Sequence, residues 1–431
     1  MTSPRTIRRR IADAPTRDRK LFLWPILGLV VTDLFSFLPA PFDLVAACLV
    51  IGAVLITFLA VSSLFFTWLE RKVSGRIQDR LGPTRVGKFG LLQSIADAIK
   101  LVTKEDTTPD VADRFLFKLA PYLALCASFV AFITLPFGNG IVGYNLNVAA
   151  FFILAVLSSE VFGVILAGYA SGSKWSLFGG IREAAQVVSY EVPRSMCVLI
   201  PVIVAGTLNL NTIGVQQTGF FWNWNLFHDP FTFIAFFLFF IVATASCKRA
   251  PFDLAEAESE LVAGFHTEYS GLRWSIFFMA EYASMFAVSG AAAILFLGGW
   301  HSGLLPFEPS ERLNWVGHVL NVLVFVLKCG LLVFVMMWMR WSLPRLRIDQ
   351  VMMTCLKYFL PIACVLLLGV CLWELFVPSA VGIAWRYASA AVCAAFLVGL
   401  VVRMFVAPLP GPKSGLPGAW AGMPTPLLKA K

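Results

Sequence analysis

Long apolar runs recur from residue 44 to residue 406, and the short stretches between them hold most of the charge. A hydrocarbon core ~30 Å thick takes about 20 helical residues to cross. Runs of that order lie near 44–69, 113–136, 148–170, 186–206, 230–247, 275–299, 315–340, 354–377 and 380–406. The pattern predicts an all-α polytopic membrane protein, because helices satisfy their own backbone groups in lipid. A tenth run, 21–40, carries Asp33 within it, Pro25 near its start and Pro39-Ala-Pro41 at its end. It reads either as a span or as a segment lying in the interface. A secretory signal fits it less well, since the basic stretch before it is long and no small-x-small cleavage site follows.

Composition agrees with that pattern. Of 431 residues, 58% are hydrophobic and 14% charged, against roughly 25% charged in soluble domains. The nine cysteines fall mostly inside spans with no C-x-x-C spacing, and the four histidines show no metal-ligand spacing. Packing thiols are therefore expected, with no disulfide frame, metal site or iron–sulfur site. No phosphate loop or dinucleotide fingerprint is present, so no nucleotide site is expected on this chain.

The connections are strongly asymmetric in charge. One set of loops holds Arg71, Lys72, Arg76, Arg80, Arg85, Lys88, Lys100, Lys104, Lys174, Arg182, Lys248, Arg249, Arg273, Arg340, Arg345 and Arg347. The opposite loops, 137–147, 207–229 and 300–313, hold Arg312 alone. Lys and Arg stay on the cytoplasmic side, which assigns the first set to that face. The basic N-terminus, Arg5 to Lys20, also belongs there, which argues that 21–40 crosses. A net charge of +9 then implies contact with anionic lipid headgroups and partner subunits, with no nucleic acid required.

The cytoplasmic loops concentrate the candidate chemistry. In "ERKVSGRIQDRLGPTRVG" the glycines and Gly82-Pro83 predict a structured, turning loop. Next, "GLLQSIADAIKLVTKED" places Leu91, Ile95, Ile99 and Val102 on one helical face and Gln93, Asp97, Lys100 and Lys104 on another. Such a helix suits the interface, and the plain alternative is an anchoring helix with a solvated polar face. The loop "CKRAPFDLAEAESELVAGFHTEYSG" carries Asp253, Glu256, Glu258, Glu260 and Glu268. If helical, it puts Asp253, Glu256 and Glu260 on one face, where mutual repulsion raises at least one pKa. That suits a proton relay, the alternative being a solvated acidic loop. Glu160, Glu191 and Glu281 lie within or at the head of spans and Glu70 at the end of the first, and intramembrane acids of this kind are functional-site candidates. Asp33 and Glu374 lie nearer span ends, where snorkelling suits them.

Several long motifs, in order, carry a resemblance: "ERKVSGRIQDRLGPTRVGKFGLLQSIADAIKLVTKED", "GYASGSKWSLFGGIREAAQVVSYEVP", "RAPFDLAEAESELVAGFHTEYSG", "AEY" and "LPRLRIDQ". Together they closely resemble the quinone-chamber membrane subunit of respiratory complex I, the proton-pumping NADH:quinone oxidoreductase. The resemblance covers about 44–377 and implies an eight-helix core there. Residues 1–43 would be a basic extension with its apolar segment, and 378–431 an extra helix followed by a Pro/Gly-rich tail. It implies a quinone chamber at Glu70, Arg71, Arg76, Asp97, Arg249 and Phe252. It implies a proton relay through Glu191, Asp253, Glu256, Glu258, Glu260 and Glu268, to which the intramembrane acids Glu160 and Glu281 are added as candidates.

By the same resemblance, quinone is the substrate and this chain binds no cofactor. Iron–sulfur clusters, FMN and NADH would belong to partner subunits of the peripheral arm, and the chain would sit among other membrane subunits in a bacterial plasma membrane. Thr84 stands where the family usually has Asn, Ser246 where an acid usually precedes R-x-P-F-D, and Lys248 is unusual there. Glu183 adds a carboxylate where a small residue is common, and Glu183 and Glu160 are alternative substitutes for the acid missing at Ser246. Two rival readings are the membrane subunit of an energy-converting hydrogenase, which shares these loops, and an independent ion transporter built on midplane acids. A pure scaffold would leave Glu160, Glu191 and Glu281 without a purpose.

Overall fold

In a computed structural model, residues 42–406 are described except 257 and 306–308. The 21–40 segment and the Pro/Gly-rich tail beyond 406 lie outside the described residues. Ten principal helices follow in order: α1 Phe42–Ile77, α2 Gln93–Thr103, α3 Arg114–Thr134, α4 Ala149–Ala170 and α5 Lys174–Ala205. Then come α6 Pro230–Ser246, α7 Gly271–Phe296, α8 Pro309–Ser342, α9 Ile348–Phe376 and α10 Ser379–Val406. Eight of them are long and apolar enough to cross a membrane. The 17-residue α6 is apolar but shorter, and α2 is the short amphipathic one. The nine apolar runs read between residues 44 and 406 are thus helices, eight of them before residue 378.

Three boundaries differ from the hydropathy reading. α1 continues through Arg71 and Arg76 to Ile77, so the first cations are helical and not part of a loop. α5 starts at Lys174 rather than near 186, which brings Arg182, Glu183 and Gln186 into the helix. The acidic stretch after α6 is not one helix: it runs in turns to Ala255, and its described helical pieces are the short Glu258–Leu261 and the 3-10 turn Gly264–His266. Hydropathy misses the first two because polar residues continue a helix wherever the bundle supplies them with partners.

Helix ends have identifiable causes. Asp113 accepts hydrogen bonds from the Phe115 and Leu116 backbone N–H groups, an N-cap for α3. Asp229 accepts from the Thr232 N–H at 2.6 Å, with Pro230 in the first turn of α6, where its missing donor costs nothing. At the far end of α7, the Lys328 ammonium on α8 donates to the carbonyls of Leu297, Gly299 and His301, as a cation at a helix C-terminus should.

The helix α7 is the centre of the bundle: 89% of its most apolar stretch is buried, against 6% for α10. It packs on α1, α3, α6 and α8, while α5 packs on α4, α6 and α9. Lipid is as apolar as leucine, so close packing has to hold such a bundle together. Accordingly, a Cβ on Gly163 would lie 2.7 Å from the Ala124 nitrogen; the glycine lets α3 and α4 touch. Phe58, Phe132, Phe137, Phe286 and Phe325 form an aromatic knot, with Phe58 centred 5.1 Å from Phe137 and 5.3 Å from Phe286.

Candidate functional site: a chamber backed by buried charge

The charged connections gather at one end of the bundle, and beneath them lies a cavity of about 420 Å³, within the size range of ligand sites. Leu64 on α1, Leu101 on α2, and Ile276, Phe278 and Met279 on α7 supply apolar walls. Glu70, Arg71, Asp97, Tyr282 and Arg340 supply the charged and phenolic groups. The α2 helix closes one side by turning Ser94, Asp97, Ala98 and Leu101 inward. Its Ile95 and Ile99 are exposed on the other side, as an interface-lying helix requires. Arg71 donates a short hydrogen bond to Asp97, tying α2 to α1. Burial pushes the Asp97 carboxyl up, but the Arg71 bond and charge and the Gln93 amide outweigh it and hold its pKa below the ordinary value.

Directly behind the chamber stands Arg249. Its Nη1 donates to Glu70 at 3.2 and 3.1 Å, its Nε lies 2.7 Å from Glu281, and its guanidinium stacks 4.7 Å from the Tyr282 ring centre. Glu70 also accepts from Arg340 at 2.7 Å and from the Tyr282 hydroxyl. One carboxylate therefore meets two guanidiniums and a phenol, with Glu281 completing the charge balance. Burial alone would lower the Arg249 pKa, but Glu281 and Glu70 drive it well above the ordinary value, so this cation is permanent.

A second cluster lies on the other side of the same turn. α6 ends at Ser246, and Lys248 takes a left-handed φ of 55°, a conformation non-glycine residues adopt seldom. The turn sends Arg249 toward Glu70 and Lys248 toward α4. There the Lys248 ammonium donates to Glu160 at 2.8 Å and lies 3.9 Å from Glu183. Glu160 also accepts from Ser128 at 3.2 Å. Burial opposes the charge on Lys248, but Glu160 and Glu183 raise its pKa far above normal. Between the two clusters lies a cavity of about 10 Å³, lined by Glu160, Lys248, Glu256, His266 and Glu281 among others, about the space one water needs.

Among the remaining acids, Asp253 pairs with Arg345 at 3.0 Å and Glu260 with Arg182 at 2.6 Å. Glu191 pairs with Arg194 at 3.2 Å, and Arg194 also donates to Ser246. Both Asp253 and Glu256 have raised pKa values. The sequence predicts repulsion along a helical face as the cause. Burial is instead the leading cause for both, with Glu281 and Asp253 adding repulsion at Glu256. His266, beside them, is pushed down to about 4 by burial and the Lys248 charge.

Not every residue expected at the chamber lines it. Arg76 is exposed on the last turn of α1. Phe252 is buried in the core, its carbonyl accepting from Gln186 at 2.9 Å. Arg249 reaches the chamber only through Glu70 and Tyr282. Glu268 is half-buried and joins neither cluster. The side chain of Glu258 lies outside the described residues. Sequence reasoning misses Tyr282, Arg340 and Arg194. The first follows Glu281 directly, and Arg194 stands one helical turn beyond Glu191, a spacing that pairs side chains; Arg340 offers no such signal.

Comparison with known proteins gives the same picture. Residues 50–371 match the family model described as NADH dehydrogenase. A protein of Chlorobium luteolum, named as the H subunit of NADH-quinone oxidoreductase, is 45% identical over 344 residues, covering 79% of this chain and 92% of its own. A protein of the same name from Anaeromyxobacter dehalogenans is 43% identical over 77% of this chain and 83% of its own. One from Rhizobium meliloti, whose name adds the number 2, is 46% identical over 72% and 92%. With residues 50–371 matched by the family model and relatives 45% and 43% identical over most of its length, the chain belongs to the NADH dehydrogenase family.

Proposed function

We propose that the chain is the membrane subunit of a proton-translocating NADH:quinone oxidoreductase, and that the cavity between α1, α2 and α7 receives the quinone. The observation that carries this reading is the chamber itself, lined mostly by apolar groups with Glu70, Arg71, Asp97, Tyr282 and Arg340 among them. A quinone has an apolar tail and a head with two carbonyls, and that distribution of groups suits it. Arg71 and Arg340 are donors for a carbonyl oxygen that gains negative charge on reduction. The partner subunits would supply the electrons through their iron–sulfur clusters, FMN and NADH.

Reduction to quinol takes up two protons, and the two buried clusters offer a way to couple that uptake to the rest of the membrane arm. A change of charge in the chamber acts first on Glu70, which shares Arg249 with Glu281. Glu281 and Glu256 border the small cavity that Glu160 and Lys248 also border. Glu191, Asp253 and Glu260, each held by an arginine, extend the same band of charge. The exposed basic surface around Arg85 and Lys100 would dock the peripheral arm on the cytoplasmic face of a bacterial plasma membrane, with anionic lipids around it.

The test is to capture the tagged chain from gently solubilised native membranes and assay the eluate. Co-purifying subunits with inhibitor-sensitive NADH:quinone reductase activity are expected. Hydrogenase activity in the eluate would instead favour the energy-converting hydrogenase, and an intact chain recovered alone would favour a transporter.

A further inference from the structure

Glu183 has no place in the relay described so far, yet its position is unusual. It is fully buried on α5, and neither carboxylate oxygen has a hydrogen-bond partner. Its nearest cation, Lys248, is 3.9 Å away and donates its hydrogen bond to Glu160 instead. One ammonium thus faces two carboxylates, so the trio is neutral only when the pair of acids holds one proton. A buried group left charged and unpaired is costly, and neutrality is the state the surroundings favour. Beyond Lys248 and Glu160, the groups that act on Glu183 are Asp253, in the turn after α6, and Tyr190 on its own helix. None of them adds a second cation.

Protons also have a way in. The water-sized cavity is lined by Glu160 and Lys248, the neighbours of Glu183, together with Glu256 and Glu281. Ser246 lies nearby: its hydroxyl accepts from Arg194, and Tyr190 interacts with both Ser246 and Glu183. We propose that Glu183 is a proton-carrying carboxylate, with Lys248 as its fixed counter-charge, and that it joins the band of charge through Lys248 and Glu160. This rests on the coupling reading above. The step is a proton transfer alone: an O–H bond breaks on Glu160 as one forms on Glu183, with no change of oxidation state.

The test uses the intact complex carrying Glu183→Gln, with Glu183→Asp beside it. In the Gln variant, quinone-linked turnover and proton pumping should fall roughly three- to tenfold, while NADH oxidation by an artificial acceptor is unchanged. The alkaline limb of the turnover profile, followed from about pH 6 to about pH 9, should shift, and the Asp variant should recover much of the loss. Infrared difference spectra of quinone reduction should lose a protonated-carboxyl band in the Gln variant. A Gln variant with wild-type turnover, pH profile and carboxyl band overturns the proposal. If it fails to assemble, carbon-13 glutamate labelling decides: the band must lose its isotope shift in Glu183→Asp, and an unchanged shift overturns the proposal. A wild-type complex lacking quinone reductase activity would instead remove the reading on which the proposal rests.

Discussion

Glu70 on α1 and Arg249, 179 residues later, are joined by two hydrogen bonds in the interior. This pair locks the first helix to the turn after α6, and it separates the chamber in front from the acids behind. Its burial makes the two ends unequal: losing the cation leaves Glu281 without the cation it pairs with and Glu70 with Arg340 alone, whereas losing one carboxylate still leaves the cation its other partner.

Arg249→Met should therefore destabilise the assembled subunit by about 3–5 kcal/mol, the range for breaking a buried ion pair from one side. Thermal unfolding of the purified complex measures it. Arg249→Lys should recover only part of the loss, since an ammonium cannot reproduce the fork toward Glu70 and Glu281. A wild-type melting point in the Met variant would mean that the cluster is hydrated and weak.

Filling the chamber is a separate matter from breaking its charges. Ala98 faces the cavity from α2, and Ala98→Phe should raise the apparent KM for quinone about tenfold while kcat changes little, the signature of lost ground-state binding. Steady-state kinetics with a short-chain quinone read this directly. An unchanged KM in an assembled complex would move the quinone elsewhere.

The loop bearing the acids should be acid-sensitive through His266. Its pKa, pushed down to about 4 in the folded chain, lies below the ordinary value of about 6.5. Between these values the unfolded chain binds the extra proton and the folded chain does not. Stability is thus fully present above about pH 6.5 and is lost as pH falls toward 4, by at most about 3 kcal/mol because the ring is only partly buried. His266→Gln should flatten this part of the melting profile. A variant with the same acid dependence as wild type would assign the effect to other groups.

Gly264 fixes where that loop runs. Its φ is +59°, and a Cβ there would overlap the Ala255 carbonyl oxygen. Backbone cannot yield as a side-chain tip can, so Gly264→Ala should displace the Ala255–Gly264 crossing and with it Asp253 and Glu256. Lower yield of assembled complex and faster proteolysis between 253 and 268 are the expected results. Normal assembly and protease resistance would show that the loop adapts.

Hydropathy alone determined that this chain is a bundle of apolar helices with its charge gathered at one end, because lipid admits few other backbone arrangements. The sequence also singled out Glu70, Glu160, Glu191 and Glu281, since an acid within an apolar run stands out without any structure. It did not reveal their partners. Glu70 meets Arg249, Tyr282 and Arg340, and Glu160 meets Lys248 and Ser128, across separations that no periodicity encodes. Nor did it show that α1 runs on to Ile77 or that the acidic loop turns instead of coiling, because those outcomes depend on pairing with other elements. Spacing along a chain sets which side chains share a helical face. Only packing decides which charge is buried, and beside what.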